Sequence, residues 1–207
     1  MSVNNLRTNY IFIDFENVQP SLTELPSEYP MKIVIFVGAK QNKIPIDIVM
    51  AMQRMGSNAE YIVINESGKN ALDFHITFYL GNIAANNPDA FFHIISKDSG
   101  FDILLKHLKE RQIQVNRYTD IAEIPLLRQL KCKSLSEEQL IEMIIGYLRR
   151  RGNAKPRKLE TLFNFINSHC GRSLEKKKIE ELIQVLIQKQ LINIDDNRKI
   201  TYTLNRQ

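Results

Sequence analysis

Four aspartates lie where an apolar run of the sequence ends or a helix is expected to begin, and carboxylates at such points can bind a metal ion. Asp14 interrupts the run FIDF, Asp73 lies in GKNALDFH, and Asp98 and Asp102 lie in SKDSGFD. Carboxylates about 4 Å apart repel by about 4 kcal/mol per pair at an effective dielectric constant near 20, so a cluster favours a bound cation or raised pKa values. All-oxygen ligands select Mg²⁺ or Mn²⁺.

Most of these aspartates also have an ordinary structural interpretation. Asp98 suits a helix cap, and Asp73 suits the first turn of a helix, where the helix dipole favours a negative charge. Asp98 and Asp102 are four residues apart, so on one helix they would face the same way. Asp14 is harder to explain, because burying an acid in an apolar strand costs free energy unless it is paired or bound to a metal.

The elements that would position the aspartates follow from the spacing of apolar residues. Short β-branched and aromatic runs alternate with stretches whose apolar residues are three and four positions apart, which predicts a parallel sheet covered by helices on both faces. In such an α/β three-layer fold, ligands bind beyond the carboxyl ends of the strands. The predicted strands are 9–15, 32–38, 60–64, 90–96 and 113–118, and the predicted helices are 44–55, 70–85 and 100–111.

The last third of the chain has a different pattern, which predicts three helices and a hairpin, a small α+β winged-helix domain. The segment Ser136 to Gln139 has the S-x-x-Q form of a capping box, so the first helix begins there. The second helix is expected to begin near Pro156 and to stop by Gly171. Residues 195–197, Asp-Asp-Asn, predict the turn of the hairpin.

Composition is that of an ordinary folded protein, 43% hydrophobic and 25% charged, with a formal net charge of +5. Residues 1–133 carry 14 Lys and Arg against 14 Asp and Glu, whereas residues 134–207 carry 14 against 9. We predict domains at 1–131 and 136–207, joined by a linker at 132–135. With no apolar run of about 18 residues and no signal-peptide pattern, we expect no membrane partner and a cytoplasmic location.

Cys132 and Cys170 are the two cysteines of the chain. They are far apart and have no neighbouring Cys or His at metal-ligand spacing, so neither a disulfide framework nor a zinc site is indicated. We expect both to be buried or idle thiols.

The basic residues of the last third are candidate phosphate contacts, with a solvated basic face as the alternative. Winged helices bind duplex DNA through the third helix, and similar modules bind RNA or proteins. In the first domain, Lys69 and Asn70 would contact a phosphate or lie in a solvated loop, and Glu16, Glu66 and His75 are weaker additions to the site. The basic candidates are Arg149, Arg150, Arg151, Lys155, Arg157, Lys158, Lys176, Lys177, Lys178, Arg198 and Lys199.

The blocks FIDFENV, GKNALDFH and SKDSGFDILLKHL resemble the PIN-like nucleases, particularly the NYN branch, over about residues 8–130. The resemblance implies a Rossmann-like fold, an acidic pocket for one or two Mg²⁺ or Mn²⁺ ions, and hydrolysis of phosphodiester bonds, most often in RNA. By motif position it implies that Asp14, Asp73, Asp98 and Asp102 are the catalytic and metal-binding residues, supported by Asn17 and Ser96. The last third resembles winged-helix and LOTUS-type (OST-HTH-like) domains.

Two functions therefore remain open. The first is a metal-dependent ribonuclease, expected to be an endonuclease acting on single-stranded RNA, whose C-terminal domain binds nucleic acid. The second is a non-catalytic nucleic-acid-binding regulator whose acidic pocket is inert. The absence of G-x-x-x-x-G-K-[ST] and G-x-G-x-x-G motifs argues against P-loop and dinucleotide enzymes. Whether DNA is also a substrate stays open. A homodimer is possible, on the ground of the family resemblance alone.

Overall fold

The computed structural model describes residues 7–23, 25 and 29–204. The chain divides into two compact units, Met1–Ile124 and Pro125–Gln207. The first unit contains β1 (Asn9–Asp14), β2 (Met31–Val37), α1 (Ile46–Met55), β3 (Ala59–Val63), α2 (Ala71–Asn86), β4 (Phe91–Ile95), α3 (Phe101–Glu110) and β5 (Gln114–Tyr118). The second contains α4 (Pro125–Ser134), α5 (Glu137–Arg150), α6 (Leu159–His169), α7 (Lys176–Gln188), β6 (Ile192–Ile194) and β7 (Ile200–Tyr202).

The five strands of the first unit form one parallel sheet in the order β3-β2-β1-β4-β5. Along β1, Phe12 packs in the core shared with α2 and α3, whereas Ile11 and Ile13 point to the opposite face and are also buried. Both faces of the sheet are therefore covered, which is why the strands are continuous apolar runs rather than alternating ones. The predicted three-layer α/β fold is confirmed, with strand ends within one or two residues of the prediction.

The order of the strands decides where a ligand would bind. From β1 the chain adds β2 and β3 on one side and then, through α2, returns to place β4 on the other side of β1. The crevice at the carboxyl ends of β1 and β4 is therefore the topological switch point of the sheet, where ligands of open α/β folds bind.

The second unit contains the three predicted helices and the predicted hairpin. Gln139 Oε1 accepts a hydrogen bond from the Ser136 amide and the Gln139 amide donates to Ser136 Oγ, so the capping box is present. The inner faces of α5, α6 and α7 form one core with Ile192 and Ile200 of the hairpin. The antiparallel register pairs Ile192 with Tyr202.

Helix α6 begins later than predicted, at Leu159 instead of near Pro156. Lys158 is extended and forms an antiparallel bridge with Lys199, and Pro156 accepts a hydrogen bond from the Tyr202 hydroxyl at 2.6 Å. The segment before α6 therefore pairs with the hairpin, and this long-range pairing overrides the helix-start pattern of the proline.

Residues 132–134 of the predicted linker at 132–135 are the last three residues of helix α4. The compact units divide after Ile124 rather than at 131, so α4 belongs to the second unit. This boundary sharpens the charge distribution: Met1–Ile124 has 11 Lys and Arg against 14 Asp and Glu, a formal charge of −3, and Pro125–Gln207 has 17 against 9, a charge of +8.

The expectation of idle thiols is wrong, because Cys132 and Cys170 form a disulfide. Both are buried as expected, but packing of α4 beside the end of α6 brings their Cα atoms to 5.6 Å across a sequence separation of 38 residues. Spacing alone does not reveal such a contact. Disulfides are uncommon in cytosolic proteins. The cytoplasmic location stays a prediction.

Within the part of the chain that the structure describes, no helix is long and apolar enough to cross a bilayer.

Candidate active site

The site lies where the sheet reverses its strand order. Asp14 is the last residue of β1 and is in register with Phe36 of β2. On the other side of β1, Ile13 pairs with Ile95, so the next residue after β4, Ser96, lies beside Asp14. Two polar residues that the sequence analysis took from separate motifs therefore meet at the carboxyl end of the central strand.

Asp14 has no exposed surface and satisfies its carboxylate with hydrogen bonds. Oδ2 accepts hydrogen bonds from Ser96 Oγ at 2.7 Å and from the Asn17 side-chain Nδ2 at 2.6 Å. Oδ1 accepts a longer bond, 3.3 Å, from the backbone amide of Asn17. A buried acid is tolerated when donors stabilise it in this way. Asn17 and Ser96 therefore fix the orientation of the Asp14 carboxylate.

Asp98 is linked to this group through Ser96. The Ser96 hydroxyl donates to Asp14 and accepts from the Asp98 amide at 3.0 Å. The exposed Asp98 carboxylate accepts from the Gly100 amide at 2.7 Å, so Asp98 also stabilises the turn before α3. Asp98 can stabilise the turn and also bind a ligand, because Oδ1 accepts the bond from Gly100 and Oδ2 remains for a ligand.

Asp73 lies in the first turn of α2, as predicted, and is half-buried. Its pKa is raised above the usual value by burial and then by the negative charges of Asp14, Asp98 and Glu16. Carboxylates from β1, α2 and the segment after β4 therefore act on one another electrostatically. A cation would relieve this repulsion.

Glu16 lies over the carboxyl end of β2. A Cβ placed on Gly38 would overlap the Glu16 carboxyl group, so the glycine leaves the space that this side chain occupies. Glu16 is thereby aimed along the same edge of the sheet as Asp14, and its charge contributes to the raised pKa of Asp73.

Asp102 has a partner that the sequence analysis did not identify. Arg117 on β5 donates from Nε and Nη2 to the two carboxylate oxygens of Asp102 at 2.8 and 3.0 Å, and from Nη1 to the Ser96 carbonyl at 3.0 Å. The Arg117 hydrogen bonds lower the pKa of Asp102 below its usual range. Both oxygens of the Asp102 carboxylate, which the sequence analysis paired with Asp98, therefore accept hydrogen bonds from Arg117.

The remaining candidates of this unit are exposed. His75 Nδ1 lies 2.7 Å from the Ala71 carbonyl of its own helix, which supports a structural role. Lys69, Asn70 and Glu66 lie in the loop before α2, where Asn70 has a left-handed backbone with φ of 60°. The structure brings Glu16, but neither Glu66 nor His75, into the electrostatic group around Asp73.

Residues 8–118 match the PIN domain, a stretch of more than half the chain that contains the sheet and all six motif residues. The chain belongs to the PIN domain family. No curated protein and no solved structure matches it. PIN domains are generally nucleases, typically metal-dependent, and act on nucleic acids, so the first unit is a nuclease-type domain.

The acidic residues at the carboxyl end of β1 are the candidate metal ligands of the PIN domain. Among the described residues, no group of three or more His, Cys, Asp or Glu side chains is arranged to hold an ion. Mg²⁺ is nevertheless commonly bound by one or two carboxylates and several waters. The donor set consists only of oxygens, and burial together with the nearby negative charges raises the pKa of Asp73, so the residues fit a hard divalent cation.

Asp73→Asn is expected to raise the melting temperature of the metal-free PIN domain at pH 7, by roughly 1–4 °C. Because its pKa is raised, folded Asp73 holds its proton more tightly than the unfolded chain does. Its contribution to stability is therefore lost as pH rises from the usual value of 3.8 through the raised value, and asparagine avoids this loss.

Differential scanning fluorimetry in EDTA from pH 4 to pH 8 measures the effect, which should shrink toward acid pH. Asp89→Asn, in the exposed turn before β4, is the control and should leave the melting temperature unchanged. A lower melting temperature for Asp73→Asn at pH 7 would show that the carboxylate is stabilised by its surroundings.

In the second unit, several predicted basic residues converge on the hairpin. The Ile200 amide donates to the Arg157 carbonyl and the Leu159 amide to the Arg198 carbonyl, which brings residues 155–158 beside the hairpin turn. The Lys155 ammonium lies 5.8 Å from the centre of the Tyr202 ring. Lys155, Arg157, Lys158, Arg198 and Lys199 thus form one basic group, which we call the hairpin group.

The lysines at the start of α7 are placed differently. Lys178 forms ion pairs with Glu137 and Glu181, and Lys176 lies 3.7 Å from Glu180. These carboxylates reduce the positive potential of the run, so the helix expected to contact phosphates has a mixed rather than a basic surface. Lys177 is exposed on the same turn.

Proposed function

We propose that the protein is a metal-dependent ribonuclease that cleaves single-stranded RNA, and that its second unit is a winged-helix, LOTUS-type module that binds nucleic acid. The observation that carries the proposal is the buried Asp14 carboxylate at the switch point of the sheet, oriented by Ser96 and Asn17. Its electrostatic coupling to Asp73, together with Asp98 and Glu16, supports a cation at this point.

We propose that Asp14 and Asp98 hold Mg²⁺ or Mn²⁺, with Asp73 completing the site directly or through water. When bound, the ion polarises the phosphoryl group and eases deprotonation of the attacking water. The role of the protein is positional: Ser96 and Asn17 hold Asp14, and the turn closed by Asp98 and Gly100 aims the Asp98 carboxylate.

Arg117 sets the fourth aspartate apart from the other three. Its guanidinium holds Asp102 and the Ser96 carbonyl at once, so it ties α3 and β5 to the end of β4. We propose that Asp102 acts mainly by positioning this corner of the site and contacts a metal only through water.

For the second unit we propose that the hairpin group supplies phosphate contacts that are independent of sequence. The formal charge of +8 on the whole second unit supports binding of a polyanion. The Lys176, Lys177 and Lys178 run contributes less in this proposal, because carboxylates of α5 and α7 already pair with two of the three.

The alternative is a nucleic-acid-binding regulator with an inert pocket. It is favoured by the ion pair that engages Asp102 and by the lack of a three-residue metal group among the described residues. The two functions differ in whether bound RNA is cut.

The deciding experiment incubates the purified full chain with single-stranded RNA labelled at either end, with Mg²⁺ or Mn²⁺. We expect internal cleavage with metal and none in EDTA, and slower or no cleavage of DNA of the same sequence. RNA that is bound but stays intact with both metals would establish the regulator instead.

A further inference from the structure

A cleft of about 700 Å³ lies beside α6 in the second unit. Its polar side chains are Arg151 at the end of α5, Thr161, Asn164, Asn167 and Ser168 on α6, and Arg172 just after α6. The ionisable groups among its described lining residues are the two arginines, so the cleft is positively charged. Its volume is that of pockets that bind small ligands or single ligand groups.

The two arginines are held by the fold on different elements. The Arg151 guanidinium lies over the Phe165 ring, with Cζ 5.5 Å from the ring centre. The Arg172 amide donates to the Asn167 carbonyl at 2.7 Å, and its backbone is left-handed with φ of 58°. No ion pair among the described residues involves Arg151 or Arg172. The Arg151 guanidinium and the Arg172 backbone are therefore positioned, and both charges are available to an anion.

Three polar side chains of α6 that line the cleft, Asn164, Asn167 and Ser168, are of the kind that hydrogen-bond to a base or a ribose. Asn167 Oδ1 is buried and has no hydrogen-bond partner within the described chain. A buried acceptor without a partner is costly, and a donor on a ligand would satisfy it. Asn164 and Ser168 add donors and acceptors on the same helix.

A second cleft of this unit, about 480 Å³, provides a contrast. Glu137, Glu180 and Glu181 line it together with Lys177, so carboxylates predominate there. The two clefts of this unit thus have opposite charge, and of the two the one beside α6 would attract phosphate.

We propose that the cleft beside α6 binds a nucleotide of single-stranded RNA. Arg151 and Arg172 bind its phosphates, and the amides of Asn164 and Asn167 contact its base or ribose. A concave site with stacked guanidinium and free amide groups suits an unstacked nucleotide better than a duplex. The inference deepens the proposed function and rests on it for the choice of RNA as the ligand.

The test measures binding of the full chain to a fluorescein-labelled 12-nucleotide RNA in EDTA, by fluorescence anisotropy at several salt concentrations. Arg151→Gln and Arg172→Gln are each expected to weaken binding about tenfold and to reduce the salt slope by about 0.7. Lys189→Gln removes one charge from the same unit outside the cleft, and its affinity should stay within about twofold of wild type. Arg172→Lys should recover part of the loss.

Binding by both glutamine variants equal to that of wild type would overturn the proposal, as would an equal loss in Lys189→Gln. If the glutamine variants bind RNA as well as wild type does but no longer bind an acidic Asp/Glu peptide, the cleft is a protein-contact site and the proposal is wrong. Because EDTA prevents cleavage, the result is separate from the nuclease assay. Loss of RNA binding in a chain that never cuts RNA would support the cleft and contradict the nuclease.

Discussion

Asp14→Asn is expected to slow metal-dependent RNA cleavage by at least about a thousandfold and to leave the fold intact. The substitution removes the buried negative charge that we propose holds the cation, a contribution of several kcal/mol at about 1.4 kcal/mol for each factor of ten. The asparagine side chain has nearly the same shape as the aspartate side chain, so the surrounding packing is retained.

The hydrogen bonds explain why the variant should fold. The amide oxygen of asparagine can accept from Ser96 and Asn17 in place of Oδ2, which receives the two short bonds. The new amide nitrogen then replaces Oδ1, whose bond to the Asn17 backbone is the longer one at 3.3 Å. We expect one weak bond to be lost, at a cost of about 1 kcal/mol.

The measurement is the single-turnover rate on labelled RNA with Mn²⁺, with the melting temperature recorded alongside. Asp98→Asn should give a comparable loss, and Asp89→Asn, purified in the same way, should cut at the wild-type rate. Ser96→Ala should cause a smaller loss, because it removes hydrogen bonds that position Asp14 and Asp98 but leaves both carboxylates in place. A folded Asp14→Asn or Asp98→Asn protein that cuts as fast as wild type would disprove the active-site assignment.

Gly171→Ala is expected to destabilise the second unit by about 2–4 kcal/mol. A Cβ at this position would overlap the carbonyl oxygen of Pro125 and approach Cγ of Gln129 at 2.7 Å. The Gly171 carbonyl accepts from Gln129 Nε2 at 2.7 Å, and the neighbouring Cys170 is bonded to Cys132. With α4 held this closely, neither side can move away from the new methyl group.

Gly152→Ala is the matched control, because it separates backbone strain from steric overlap. Both glycines have positive φ, 51° at Gly152 and 62° at Gly171, but nothing lies within 4 Å of a Cβ at Gly152. We expect it to cost about 1 kcal/mol. Native-state hydrogen exchange of α6 and α7 amides reports on the second unit separately from the sheet. Equal protection in the two variants would show that the contact with Pro125 has no energetic weight.

Much of the first unit could be predicted because its information is local. Strands such as 9–15 and 90–96 are apolar runs that only a sheet covered on both faces can bury, so their positions matched the structure. The motif residues Asp14, Asn17 and Ser96 meet because two parallel strands end at the same edge. Arg117 was missed, although a cation at the end of the least apolar strand was a visible clue.

The second unit shows where prediction from local patterns ends. Capping and apolar stripes identified α5, α6 and α7, because those features lie within a few residues. The helix α4 was missed; its leucines Leu126, Leu127 and Leu130 are partly buried, and Cys132 is its buried residue. Its disulfide to Cys170 depends on packing across 38 residues.

The sequence by itself determined the α/β class and the excess of positive charge in the last third, and it supplied the four candidate aspartates, since periodicity, charge and motif depend only on the order of residues. Only the tertiary structure decided which groups act together. It joined Asp102 to Arg117, neutralised two lysines of α7 with carboxylates, and brought Arg151 and Arg172 to one cleft. The physical reason is that charges and hydrogen bonds act over a few ångströms of space, regardless of the number of residues between them.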